Sequence, residues 1–238
     1  MATNGGTFPW VYVAVGCGVI VVLGLIGIGS CVFLGSRWVA DMEALQKDPQ
    51  ARTEKAQQIL STPQLPDGYY AATSFSIPLL GEVLILNDRP PDAEGESHGV
   101  TEKGFFYINF LQMDDEDELE DFFRGEGDSL SAFGRMQAED LTVDLHDAEI
   151  TRRGALEMDG YVLDYAVIRG GIEFRGQDFQ SLSNLMWIHC PDDNRLRLAG
   201  WLGRDPDPQA QAEDLDYSGT PGDEESVRGF LGEFDFCK

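Results

Sequence analysis

The hydrophobic pattern of this chain changes character along its length. From Trp10 to Leu34 it has no polar phase at all: 25 consecutive residues carry no charged side chain. A helix of that length rises about 1.5 Å per residue and crosses the roughly 30 Å hydrocarbon layer with some tilt. Trp10 and Tyr12 at one end and Trp38 at the other stand where interfacial aromatic residues belong. Trp38, Met42 and Leu45 then recur at helical spacing and predict a stalk. Asp48-Pro49 reads as an N-cap and first-turn proline of a short helix running to Leu60. Residues 61–68 are a linker by their Pro and Gly content.

Past the linker the period becomes two. Tyr69 to Ile77 and Glu82 to Leu86 are strand-like, and Asn87 to Lys103 is a polar loop. Gly104 to Met113 is apolar on both faces, with Phe106, Ile108 and Phe110 on one and Phe105, Tyr107 and Leu111 on the other. That suits a central strand. An acidic run from Asp114 to Glu118 leads into Leu119, Phe122 and Phe123 at helical spacing, and Gly125 ends the pattern. Carboxylates in a first helical turn are stabilised by the helix dipole, so the run reads as a helix start. A further short helix is expected over residues 129–138, and a half-buried strand through Leu141, Val143 and Leu145. Tyr161 to Ile168 is another strand. Leu182 to Cys190 and Arg195 to Leu202 form a hairpin around Pro191-Asp192-Asp193-Asn194. Residues 203–222 show no periodicity. A closing helix has Thr220 as its expected N-cap, Pro221 in its first turn, Asp223 completing a capping box, and Val227, Phe230, Leu231 and Phe234 as its buried stripe.

These elements predict a polar tail (1–9), a single transmembrane helix (10–34), a juxtamembrane stalk (35–60), a linker (61–68) and one α+β domain (69–238). In that domain the C-terminal helix packs on a mostly antiparallel sheet, as an α+β sandwich. The order of elements resembles that of PsbP-like domains. The resemblance lies in element order alone and implies no activity.

Charge sharpens the picture. Residues 1–60 are neutral in sum, while 13 Lys and Arg against 38 Asp and Glu lie beyond, so the region after residue 60 carries the whole net charge of −25. Such a field repels phosphate backbones, which argues against nucleic acid as a partner. The lipid bilayer, reached through residues 10–34, is the partner the apolar run names. Gly24, Gly27, Cys31 and Gly35 form a small-residue ribbon on that helix, which allows close approach of two helices and a homodimer. The side holding the domain stays open. Arg37, Lys47, Arg52 and Lys55 follow the apolar run and favour the cytoplasm. Cys190 and Cys237, the two cysteines beyond the apolar run, are compatible with a disulfide and an oxidising compartment.

Candidate chemistry is sparse. Gly95-Glu96-Ser97-His98-Gly99 matches the G-x-S-x-G elbow of hydrolases, but Pro90-Pro91 precede it and a strand follows, where the elbow needs a strand and then a helix. His189 falls in phase with Leu185 and Trp187 and reads as a hydrogen-bonded core or edge residue. Cys190 points to the opposite face, so the two do not form a zinc pair. No metal ligands, cofactor motif or catalytic set is expected. The leading expectation is a non-enzymatic interaction or structural domain that meets an unknown protein partner through the 203–222 loop, with Leu215 and Tyr217 as apolar anchors. The alternatives are a hydrolase using Ser97 and His98, or a divalent-cation module using Asp205, Asp207, Glu213 and Asp214.

Overall fold

Helix α1 (Pro49–Leu60) starts where Asp48 predicts: its carboxylate accepts from the backbone N–H groups of Gln50 and Ala51 at 2.9 and 3.2 Å. The computed structural model describes residues 42, 45, 47–77, 80–91, 102–111, 116–126, 141–143, 148–170, 172–174, 177–179, 181–191 and 193–238. The chain divides into two compact units, 1–44 and 45–238, and the sheets and their helices belong to the second. The expected membrane span and its small residues Gly24, Gly27, Cys31 and Gly35 lie outside the described residues. So do Ser97, His98, His146 and the expected helix at 129–138. Among the described residues no helix is long and apolar enough to cross a membrane.

The domain is α+β. Seven strands form one antiparallel sheet: β1 (Tyr70–Ile77), β2 (Gly81–Asn87), β3 (Gly104–Leu111), β5 (Glu149–Glu157), β6 (Val162–Arg169), β9 (Ser181–His189) and β10 (Arg195–Arg204). Their order is β1-β2-β3-β10-β9-β6-β5. Three short strands, β4 (Leu141–Val143), β7 (Ile172–Phe174) and β8 (Gln177–Phe179), form a separate sheet in the order β4-β7-β8. As its pattern demands, β3 pairs on both sides, with β2 and β10. β9 and β10 pair antiparallel, as the hairpin read from the sequence requires. β5 was not legible as a strand: Thr151-Arg152-Arg153-Gly154 interrupts its apolar phase, and among the described residues it pairs only with β6, at the sheet edge.

Each face of the sheet buries its own core. Leu84, Phe105, Tyr107, Leu163, Val167, Met186 and Ala199 face α1 and the closing helix α3 (Glu224–Leu231), which adds Val227 and Leu231. Beyond α3 the chain contributes Phe234 and Phe236, and Phe230 stacks on Trp201 at 4.5 Å between ring centroids. A buried side chain of this size contributes roughly 1.5–3 kcal/mol, so the tail is a principal element of this core. On the opposite face, Phe106, Ala166, Leu185, Trp187 and Leu198 receive Leu119, Phe122 and Phe123 of α2 (Glu116–Arg124). Gly125 ends α2 at φ +80, the left-handed turn that glycine adopts without strain. Helices therefore cover both faces, which is one layer more than the expected sandwich.

Two local expectations are corrected. The N-cap of α3 is Asp223, whose carboxylate accepts from Ser226 N–H at 3.3 Å and from its hydroxyl at 2.6 Å. Thr220 is engaged in the preceding turn, where its hydroxyl donates to Tyr217 O and accepts from Gly222 N–H. The stretch 205–222 is not a free loop but a strap laid on the core. Leu215 and Tyr217 are 7% and 6% exposed, so they pack inward and are not exposed anchors for a partner.

Candidate functional site

The antiparallel register aligns a row of polar residues across four strands. Ser76 lies opposite Glu82, Glu82 opposite Asn109, and Asn109 opposite Arg197. Each stands two residues along its strand from a position on the α1/α3 face, as Asn109 follows Tyr107 and Arg197 precedes Ala199. The row is where that apolar core ends. Ser76 donates to Glu82 Oε1 at 3.0 Å, Asn109 Nδ2 approaches Glu82 Oε2 at 3.5 Å, and Arg195 Nη1 donates to Asn109 Oδ1 at 3.4 Å. Lys55 of α1 approaches Glu82 at 3.9 Å. Ser76, Glu82, Asn109, Arg195 and Arg197, with Ile77, Gly81, Asp193 and Lys238, line a cleft of about 370 Å³. A Cβ on Gly81 would stand 2.0 Å from Asn109 O, so glycine is needed there for β2 and β3 to pair this closely.

Arg197 is the unusual member. It is 2% exposed; Nη2 donates to Asp193, and the Tyr107 phenol is a second hydrogen-bonding neighbour of the guanidinium. Nε and Nη1 are buried with no acceptor. The bond from Arg197 holds the Asp193 carboxyl below its ordinary value. The Tyr107 phenol is a further polar neighbour: burial pushes its pKa up, and the charge of Arg197 pulls it partly back. Leaving a buried donor unsatisfied costs on the order of 1–3 kcal/mol. A guanidinium with unmet donors can donate hydrogen bonds to an anion.

The tail forms another part of the cleft wall. Cys190 and Cys237 lie at disulfide distance with their Cα atoms 5.5 Å apart, within the range that a disulfide spans. The pair joins the end of β9 to the residue before Lys238, whose ammonium pairs with Asp235. That pairing holds the Asp235 carboxyl below its ordinary value.

Two other clefts are built differently. On the α2 face, His189 Nε2 meets Asp164 Oδ2 at 2.9 Å, and the imidazole lies 4.3 Å from the Trp187 ring. With Glu120, Phe123, Arg124 and Gly154 they line about 270 Å³. His189 is thus hydrogen-bonded, as its phase predicts, while Cys190 packs on the opposite face. Under the strap, a third cleft of about 580 Å³ is bounded by Glu149, Arg152, Arg169, Glu213 and Tyr217. There Arg169 is fully used: Nε donates to Asp205 at 2.5 Å, Nη1 to Ala210 O and Nη2 to Asp207 O, both at 2.6 Å. The hydrogen bond to Asp205 raises the Arg169 pKa further. Arg152 lies 3.9 Å over the Tyr217 ring.

The acids expected to gather a cation are separated in role. Asp205 clamps Arg169, the Asp207 carboxylate caps its own turn by accepting from Gln209 N–H, and Glu213 and Asp214 sit in a short 3-10 helix. Among the described residues no group of three His, Cys, Asp or Glu is placed to hold a metal ion. The polar row was missed in the sequence, although it left a signal: polar residues on the inward phase of adjacent strands. No protein-family model matches the chain, and comparison with curated proteins returns no match.

Proposed function

We propose that the chain is a single-pass membrane-anchored protein whose α+β domain is a non-enzymatic binding module in an oxidising compartment. The observation that carries this reading is the Cys190–Cys237 pair, which ties the tail bearing Lys238 to the sheet beside a polar cleft. A disulfide there stiffens one wall of the cleft, and disulfides persist outside the reducing cytosol. The uncharged run at residues 10–34 supplies the anchor. What supports a binding role is that the cleft's cations, carboxylates, amide and hydroxyl are held to one another by hydrogen bonds across neighbouring strands.

The test is alkylation of the native membrane under non-reducing conditions, followed by digestion. A linked peptide containing Cys190 and Cys237 is the expected result. Two freely alkylated thiols overturn the compartment and return the domain to the side that Arg37 and its neighbours favour.

A second reading rests on the His189–Asp164 pair, whose carboxylate orients the imidazole for proton transfer. Turnover in a broad esterase panel, lost in His189→Gln, would establish it; labelling of Ser97 by a serine-reactive probe would establish the Ser97/His98 form of that chemistry.

A further inference from the structure

We infer that the cleft floored by Arg197 binds a small, singly charged carboxylate. The inference deepens the binding reading above, but needs neither the membrane anchor nor the oxidising compartment. Four observations carry it. First, Arg197 is almost wholly buried, lines the cavity and keeps Nε and Nη1 without acceptors. Buried guanidinium groups are ordinarily saturated with hydrogen bonds. Arg153 also has nitrogens without partners, but its guanidinium lies over the Phe122 ring at 5.3 Å, which accounts for its position. Arg197 has Asp193 and the Tyr107 phenol as hydrogen-bonding neighbours, and its Nε and Nη1 still lack acceptors.

Second, the local charge selects the ligand's charge. Among the described residues that line or border the cleft, Lys55, Arg195, Arg197 and Lys238 face Glu82, Asp193 and Asp235. Counted over these side chains, the excess is a single positive charge, which one carboxylate neutralises. A phosphate group at neutral pH carries about −1.5 to −2 and would leave the site over-filled against Glu82 and Asp193. The −25 of the whole chain disfavours larger polyanions for the same reason.

Third, size and lining fit a small organic acid. A cavity of about 370 Å³ sits at the low end of ligand pockets. Ile77 and the bare backbone at Gly81 offer an apolar wall for a short carbon chain, opposite the cationic floor. Fourth, the polar row is held by partners within itself. Asn109 is fixed between Glu82 and Arg195, so the groups around Arg197 are set before a ligand arrives. Pre-organisation of this kind lowers the ordering cost of binding.

The test is calorimetric titration of the full chain at constant ionic strength. The probes are acetate and propionate, with acetamide and inorganic phosphate as comparators. Saturable binding of the two carboxylates is expected, with no binding of acetamide and phosphate weaker by about tenfold or more. Arg197→Gln should abolish carboxylate binding, and Arg195→Gln should weaken it severalfold. Three results overturn the proposal: no saturable signal with either carboxylate, phosphate binding as tight as propionate, or unchanged binding in a folded Arg197→Gln protein. If Arg197→Gln fails to fold, unchanged binding in Arg195→Gln overturns it instead. The cysteine mapping is blind to this site, so the two readings fail independently.

Discussion

Arg169, at the end of β6, and Arg197, on β10, are both largely removed from water, and they are held in opposite ways. Arg169 spends every nitrogen: a carboxylate and two carbonyls of the strap close around it. Arg197 spends one and leaves two. The first arrangement fixes a segment with no periodic structure of its own onto the sheet. The second keeps donors in reserve at the edge of a cavity. If the cleft binds as proposed, mutating each arginine should separate stability from recognition.

The largest effect belongs to the clamp. Arg169→Ala leaves Asp205, whose side chain is 3% exposed, buried without its cation. Breaking such a pair costs about 3–5 kcal/mol, so urea denaturation should show a loss of that size. Deleting residues 206–216 should be worse, because it removes buried Leu215 along with the Asp207 and Ala210 carbonyls of the clamp. A clamp variant as stable as the parent would erase the contrast between the two arginines.

Next comes the tail. Cys190 and Cys237 are separated by 47 residues. Chain-entropy reasoning gives roughly 4 kcal/mol for closing a loop of that length, with about 2–4 typical in practice. Cys190→Ser should lower thermal stability accordingly, and should also weaken carboxylate binding by loosening the wall that carries Lys238. Stability loss with unchanged binding would confine the tail to a structural role.

A smaller effect sits at Asp223. Its Ala variant loses the α3 cap, about 1 kcal/mol. The hydrogen bond from Ser226 holds the Asp223 carboxyl below its ordinary value of 3.8. The folded state thus favours the ionised form. Its stabilisation is complete above pH 3.8 and is lost as pH falls through the lower, folded-state value. The gap between parent and Asp223→Ala should narrow only in that acid range, as read by denaturation at stepped pH.

The smallest stability change is expected where the binding change is greatest. Arg197→Met removes unsatisfied donors, while the partly exposed Asp193 keeps its backbone hydrogen bond from Arg195. Replacing a poorly satisfied buried charge with an apolar side chain of similar volume is often neutral or stabilising. The melting temperature should hold or rise while carboxylate binding disappears. A strongly destabilised Arg197→Met protein would make Arg197 a second structural clamp and close the comparison.

Sequence alone determined the elements whose signal is local. Phe105 to Leu111 alternates two apolar faces, and β3 has neighbours on both sides and cores on both faces. Leu119, Phe122 and Phe123 recur at helical spacing behind an acidic first turn, and Gly125 stops the helix. Asp48-Pro49 caps α1 as read, because capping needs only neighbouring residues. Two cysteines in the sequence are compatible with a pair, and the packing of the tail on the sheet brings Cys190 and Cys237 together. The strap had no period to detect: it is held by Arg169 from a distant strand, and its turns are local hydrogen bonds with no repeat. β5 was hidden by the arginines of an edge strand. The polar row of Ser76, Glu82, Asn109 and Arg197 became a site only through strand register, since four residues far apart in sequence meet when β1, β2, β3 and β10 pair. Periodicity reports what each segment buries; which polar exceptions meet is decided by the pairing of whole strands.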